Sequence, residues 1–355
     1  GLGLHGYTPY RIVPIFVVLG MVIFALHKPG KKRGLESAFV LIVIAFVSLI
    51  VFIPLLRYWL ANPDLFAYRA FSRLTGMEVG FQRHPLIIFL QNFWKASVMF
   101  FWDNGVIWAH SIPGRPALEV VSGALYFMGI IGLLIRYIRK RNWMDLFLLV
   151  SIPMLLMPSI LSLAYPGENP SLNRTAGAVV PVFVVIGASL EAILRTFRQR
   201  LDGKIGKIAV LAILSVLIIW SAANNYELVF NQYYQIYRAS SWNSSEMGQV
   251  AQFFIESLGS PDSTYVMAYP HWVDSRLVAI NAGYPGRDFA LFSEQIPEVA
   301  SIPTPKLFFI NANDGENMQL LLETFEDGIL SQYDSAVDNK DFMIFFVPPT
   351  QGALP

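Results

Sequence analysis

The chain has 355 residues, of which 54% are hydrophobic and only 14% charged, and it contains no cysteine. A soluble domain carries about 25% charged residues, so this composition, with a mean hydropathy of +0.48, points to a membrane protein. Disulfides and thiolate chemistry are excluded. The formal net charge of +1 hides a split: residues 1–224 hold 21 Lys and Arg against 9 Asp and Glu, whereas residues 225–355 hold 5 against 16. The basic half is the apolar half, and the acidic half reads as a soluble domain. The basic residues sit beside apolar runs and not on an aromatic-studded soluble surface, so nothing suggests nucleic acid as a partner. Residue 1 is glycine and no signal peptide precedes the first apolar run, so the sequence reads as a piece of a longer chain.

A membrane span needs about 20 mostly apolar residues. Six stretches qualify in chain order: Tyr10–His27, Ala38–Leu60, Ala117–Ile135, Trp143–Ala164, Ala176–Leu194 and Ile208–Ala223. The connections after the first, third and fifth are basic. Lys28–Arg33 and Arg136–Arg141 each carry four Lys and Arg, and Arg195–Lys207 carries five beside Asp202. The positive-inside rule puts these three loops in the cytoplasm. The chain start, the connection 62–116, the loop Tyr165–Arg174 and everything after Ala223 then face outside.

Connection 62–116 is too long for a plain loop. Within it, residues 86–102 place Ile87, Leu90, Trp94, Val98 and Phe101 at helical spacing, with Gln91 and Lys95 on another face. This pattern predicts a helix lying in the outer interface, with a seventh span as the alternative. The same region carries Arg57, Arg69, Arg73, Arg83, Lys95 and Arg115. These residues either snorkel to lipid headgroups or bind phosphate, which suits the planar fork of arginine.

Tyr165–Arg174, a Tyr-Pro-Gly-Glu-Asn-Pro-Ser-Leu-Asn-Arg loop, is broken from both neighbouring helices by proline and glycine. It ends on Arg174, where the next span begins. Beyond residue 224, tyrosine- and asparagine-rich sequence continues the last helix to about Arg238. Asn243 and Glu246 then occupy the N-cap and N3 places of a capping box, opening a helix to about Leu258. Runs of β type follow at Thr264–Tyr269, Leu277–Asn281, Lys306–Asn311 and Phe342–Val347, with a helix near Glu316–Phe325. The predicted fold is a multi-pass helical membrane domain over 1–224 followed by a small extracytoplasmic α/β domain over 225–355.

Three stretches carry a family likeness. The chain opens Gly-Leu-His-Gly-Tyr-Thr-Pro-Tyr-Arg (Gly3–Arg11). The central loop reads Glu-Asn-Pro-Ser-Leu-Asn-Arg-Thr-Ala-Gly (Glu168–Gly177). The acidic region reads Tyr-Pro-His-Trp-Val-Asp-Ser-Arg-Leu-Val-Ala-Ile-Asn-Ala-Gly (Tyr269–Gly283), then Gly286-Arg287-Asp288. Together these resemble the C-terminal half of bacterial GT-C membrane glycosyltransferases, in the subgroup of protein mannosyltransferases and the lipid A aminoarabinose transferase (glycosyltransferase family 39). The resemblance implies transfer of a sugar from a polyprenyl-phosphate donor to an envelope acceptor at the outer face of the plasma membrane, with no cofactor. It also implies a catalytic carboxylate in an outer loop upstream of this sequence, so no catalytic residue is assigned here.

A departing polyprenyl phosphate gathers negative charge, which a fixed arginine stabilises. Arg174 and Arg11, with Tyr7 beside the latter, are the candidate donor-phosphate residues. Interfacial anchoring is the competing reading for both arginines. Glu168 reads as a solvated loop acid or as an acceptor-side carboxylate. In the acidic region His271, Asp274 and Arg276 form a candidate outer-domain site. No nucleophile elbow accompanies them, no metal-ligand spacing is present, and Asp274 with Arg276 reads as a structural pair fixing a turn. The alternative to an enzyme is a membrane protein whose outer domain binds a cell-envelope partner. Acidic or basic groups are nearly absent from the cores of the spans, which argues against ion-coupled transport.

Overall fold

The computed structural model describes residues 1–27, 30–75, 79–200 and 203–349. Lys28 and Asp202 of the predicted basic loops lie outside the described residues, as do the side chains of Lys31, Lys32, Arg33 and Arg69. The chain divides into two units, Gly1–Tyr234 and Gln235–Pro355.

The first unit is helical. Its elements are α1 (Val13–His27), α2 (Lys31–Ala61), α3 (Pro63–Thr75), α4 (Pro85–Val98), α5 (Val120–Lys140), α6 (Trp143–Ile160), α7 (Val179–Arg200) and α8 (Gly203–Tyr226). A π-helical stretch, Glu227–Tyr233, leads into α9 (Tyr234–Ser240), where the sequence predicts continuation of the last helix. Among the described residues, six helical stretches are long and apolar enough to cross a membrane: Thr8–His27, Gly34–Ala61, Val120–Lys140, Trp143–Ile160, Ala176–Arg200 and Gly203–Ser240. They fall on the six predicted stretches.

The packed centre lies among α4, α5, α6 and α7, around Met99, Tyr126, Leu133, Leu156, Ile160, Val182 and Val185. Glycine permits the closest helix approach. A Cβ on Gly129 of α5 would sit 2.5 Å from Val185 Cγ1 and 2.9 Å from Val185 O of α7, so a larger residue would push the helices apart. At one end of this bundle His27 bonds the Tyr137 hydroxyl at 3.2 Å and Phe24 packs edge-on against Trp143. That end carries the C-terminal ends of α1 and α5. The opposite end carries the chain start, the α2–α5 connection and the loop after α6.

The α2–α5 connection contains two helices. Residues 63–75 form α3, which the sequence did not announce. Residues 85–98 form α4, opened by Pro85 at its first position and by His84, whose Nδ1 accepts from Leu86 N at 3.3 Å. At 14 residues this helix is too short to span a bilayer. Its inward stripe is Ile88, Asn92 and Ala96, four residues apart, while Leu90 and Trp94 face out. The predicted apolar stripe is thus the outer face.

The second unit wraps helices around one five-stranded mixed sheet. Its elements after α9 are α10 (Ser244–Ser257), β1 (Thr264–Met267), α11 (Ser275–Asn281), β2 (Ala290–Leu291), α12 (Ile296–Ala300), β3 (Lys306–Asn311), α13 (Gly315–Thr324), β4 (Ile329–Tyr333) and β5 (Phe342–Val347). Strand order is β2-β1-β3-β5-β4, with β1 parallel to β2 and β3, and β5 antiparallel to β3 and β4. Asn243 opens α10, its Oδ1 accepting from Glu246 N at 3.2 Å. Glu246 does not complete a capping box. Its carboxylate takes the Asn243 side-chain amide and Ala336 N.

One predicted strand is wrong. Leu277–Asn281 is the body of α11. Leu-Val-Ala-Ile has strand composition, but Asp274 caps the segment, accepting from Arg276 N at 3.0 Å. Val278, Ala279 and Ala282 then bury one helical face. Tertiary packing on α10, where a Cβ on Gly248 would fall 2.4 Å from Asn281 Cβ, overrides the local strand preference.

Candidate functional site

The loop between α6 and α7 is built from its buried polar groups upward. Asn169 is only 4% exposed. Its Oδ1 accepts from Ser159 Oγ at 2.7 Å and its Nδ2 donates to Asn92 O at 3.0 Å. Ser159 Oγ also accepts from Ser171 N at 3.0 Å, and Asn92 Nδ2 donates to Ile160 O at 3.0 Å. These bonds tie the loop to α6 and α4, and buried amides leave little freedom once paired. The Asn169–Pro170 peptide is cis. Gly105 meets the loop from the α4–α5 connection at φ +101, where a Cβ would lie 2.3 Å from Pro170 O. Only glycine fits that position.

This frame presents two charged residues, Glu168 and Arg174. Glu168 Oε2 accepts from Arg73 Nη1 of α3 at 2.8 Å and from Arg174 Nη2. Arg174 Nη1 also donates to the buried Ser162 Oγ at 3.1 Å, and its side chain is 12% exposed. The Arg73 guanidinium lies 4.8 Å from the Tyr165 ring centre. Glu168 is therefore held between two arginines and is not the freely solvated loop acid of the sequence reading. Burial pushes its carboxyl up, but the hydrogen bonds and charges of Arg174 and Arg73 outweigh this and leave it below the ordinary carboxylate value.

The chain start completes the site. Tyr7 precedes a 3-10 turn, Thr8–Ile12, with Pro9 in its first positions and Arg11 in its last. Arg11 Nη1 donates to Phe66 O at 3.1 Å, and its guanidinium stacks 4.1 Å from the Phe66 ring centre. A cavity of about 740 Å³ opens between these elements. Its polar lining includes Tyr7, Arg11, Arg73, His110, Glu168 and Arg174, and its apolar wall includes Ile12, Ile15, Pro158 and Leu161.

The three candidate donor-phosphate residues, Arg174, Arg11 and Tyr7, thus line one cavity, although the first two are 163 positions apart in the sequence. Two further lining residues were not singled out by the sequence. Arg73 stood there as one of six cations read as either snorkelling or phosphate-binding, and His110 carried no motif at all. What brings them in is the packing of α3 and of residues 79–117 against the end of the bundle, which no local pattern announces.

The candidate outer-domain residues do not converge in this way. His271 (φ +54) is exposed, and its backbone carbonyl accepts from Trp242 Nε1 at 3.0 Å. Asp274 uses Oδ1 to cap α11. Asp274 and Arg276 thus form a structural pair at the turn through the Arg276 backbone N–H, while the Arg276 side chain pairs with Asp288, Nε to Oδ2 at 2.9 Å. Hydrogen bonds from Ser275, Ala290 N and Arg276 outweigh burial and lower the Asp288 carboxyl, Ser275 contributing most. The spacing of two residues lets Asp274 reach the Arg276 amide, whereas its guanidinium extends past to the loop before β2.

Comparison of the chain with protein-family models, with curated proteins and with solved structures finds no match. The six apolar helices are compatible with a membrane protein. The cavity defines a cationic recess beside an apolar wall at one end of the bundle.

Proposed function

We propose that the chain is part of a membrane glycosyltransferase that takes a sugar from a polyprenyl-phosphate donor, and that the cavity between α1, α3 and the α6–α7 loop holds the donor's phosphate. One observation carries this reading: among the described residues, three guanidinium groups and one carboxylate line a recess that is also lined by aliphatic side chains. A lipid phosphate has the matching shape, an anionic head on an apolar stem. Each charge-assisted hydrogen bond to such a head contributes about 1.5–3 kcal/mol. Arginines fixed by Phe66, Ser162 and Glu168 are oriented before the ligand arrives, which is what stabilises a charge that grows during the reaction. The GT-C resemblance of the three sequence stretches supplies the reaction. Under it the catalytic carboxylate comes from sequence upstream, and the sugar acceptor is an envelope lipid, glycan or protein.

By the positive-inside rule, the basic loops after α1, α5 and α7 are cytoplasmic in the inner membrane, and the cavity and the sheet unit face outside. Reporter fusions at Gly30 and Pro166 test this. They are expected on opposite sides, and the orientation fails if both report the same one.

The activity test is Arg174→Ala in the full-length protein, assayed for sugar transfer and for donor affinity. Loss of one such contact should cost about tenfold or more in the combined rate and affinity. Unchanged values would remove Arg174 from the reading. A wild-type protein that binds lipid phosphate but transfers no sugar would favour the non-enzymatic alternative.

A further inference from the structure

We propose that His110 is a proton-switched ligand of the anion held in this cavity, so that anion binding takes up a proton. The inference rests on the phosphate-site reading above and adds a residue and a pH dependence to it. His110 lies in the connection between α4 and α5, its backbone N–H bonded to Ile107 O at 3.1 Å. Its side chain lines the cavity with Arg11, Arg73, Glu168 and Arg174. Its Nδ1 is buried and has no hydrogen-bond partner. A buried ring nitrogen without a partner is costly, and the same ring is one of the groups that line the cavity.

The charges around the ring set its resting state. Arg11 and Tyr7 face the cavity from the start of α1, Arg73 from α3, and Glu168 and Arg174 from the α6–α7 loop. Burial, and then the positive charge of Arg174, hold the imidazole below its ordinary pKa, against an opposing pull from Glu168. With the cavity empty the ring is therefore neutral near pH 7. An anion seated against the arginines reverses the local field. It lowers the cost of a second cation beside Arg174 and gives the imidazolium N–H an acceptor. The folded protein then binds more protons with ligand than without. By linkage, affinity for the anion rises as pH falls from the bound-state pKa of His110 toward its free-state pKa. Guanidinium groups stay protonated throughout, and Glu168, lowered by its two arginines, stays ionised, so the change belongs to the histidine.

The test needs a probe that does not itself titrate. Dihexyl phosphate, a phosphodiester, keeps one negative charge across the range, and its binding to the full-length protein in lipid nanodiscs is measured by calorimetry. The wild type should bind about tenfold more tightly at about pH 5.5 than at about pH 8, the factor for a shift of one pKa unit. His110→Gln should show the weaker affinity at both pH values. Near pH 6.5 the wild-type binding heat should also vary with buffer ionisation enthalpy, reporting proton uptake without any substitution. A pH dependence that survives in His110→Gln, or wild-type binding with no proton uptake, would overturn the role of His110 while leaving the anion site standing. Absence of wild-type binding at both pH values, or binding undiminished in Arg174→Ala, would overturn the anion site and the histidine's role with it.

Discussion

Glu168 and Arg174, six residues apart in one loop, form an ion pair in which the same carboxylate oxygen also accepts from Arg73 at 2.8 Å. That oxygen ties the loop to α3, beside the Arg73–Tyr165 ring contact and the Ala164 N to Arg73 O hydrogen bond at 2.9 Å. Two arginines are held at a spacing that mutual repulsion would otherwise widen, so the carboxylate acts as an internal counter-ion for the cavity.

The latch makes stability depend on pH. The Glu168 carboxyl lies below its ordinary value of 4.5, burial opposing and the two arginines prevailing. A group with a lowered folded-state pKa contributes stability in full above its unfolded pKa and loses it as pH falls through the lower folded value. Glu168→Gln should therefore lower the unfolding temperature of the full-length protein at neutral pH. The gap between the two proteins should close below pH 4.5. Thermal scans in detergent across that range check this, and equal midpoints at neutral pH would refute the latch. The side chain is 35% exposed, so solvent screening keeps the effect modest.

Asn169 carries the loop's internal frame. Asn169→Ala removes the acceptor of Ser159 Oγ and the donor to Asn92 O, leaving buried groups unpaired at a cost of about 1–3 kcal/mol. Denaturant unfolding should show that loss, and anion affinity should fall with it because Glu168 and Arg174 flank the residue. A variant of wild-type stability would mean that the loop does not depend on this amide.

Gly105→Ala tests the frame from the other side. The residue sits at φ +101 with Pro170 O 2.3 Å from the site of a Cβ. Both strain and collision act, each on the order of 1–3 kcal/mol, and the loop must move. Binding of dihexyl phosphate should weaken although every charged lining residue is intact. Unaltered binding would separate the loop's position from the site's function.

The sheet unit has its own core. Phe309 is fully buried in β3, between β1 and β5, within a cluster that includes Phe254, Val266 and Phe342. Phe309→Ala should cost about 3–5 kcal/mol through lost burial and a residual cavity. Amide hydrogen exchange should report faster opening in residues 235–349 and little change among α4–α7, whose buried cluster shares no residue with it. Exchange accelerated equally in both units would show that they unfold as one.

The short range decided a good deal here. Six helices were legible because each must be apolar along about 20 residues, a demand that composition alone reveals. A division into two units was legible in the charge split, although they part at Tyr234 and Gln235 and not at residue 224, and β3 and β5 were legible in their unbroken apolar runs. Short-range signals misled where packing outbid them. Leu277–Asn281 has strand residues but follows an aspartate cap and packs on α10. The strands β2 and β4 are short or exposed and left no alternation strong enough to read.

The site divides along the same line. Sequence by itself singled out Arg11, Tyr7 and Arg174, because each stands where an apolar run meets turn-forming residues. It had no means of placing Arg73 and His110 beside them, or of setting Glu168 between two arginines. Apart from Glu168 with Arg174, six apart, those relations join residues 62 to 103 positions apart, and only the packing of residues 63–75 and 79–117 against the helix ends creates them. Hydrophobic periodicity is a property of each segment and survives in the one-dimensional record. Charge convergence is a property of distances across the folded chain, so the tertiary structure alone decided that three guanidiniums, one carboxylate and an imidazole share a single cavity.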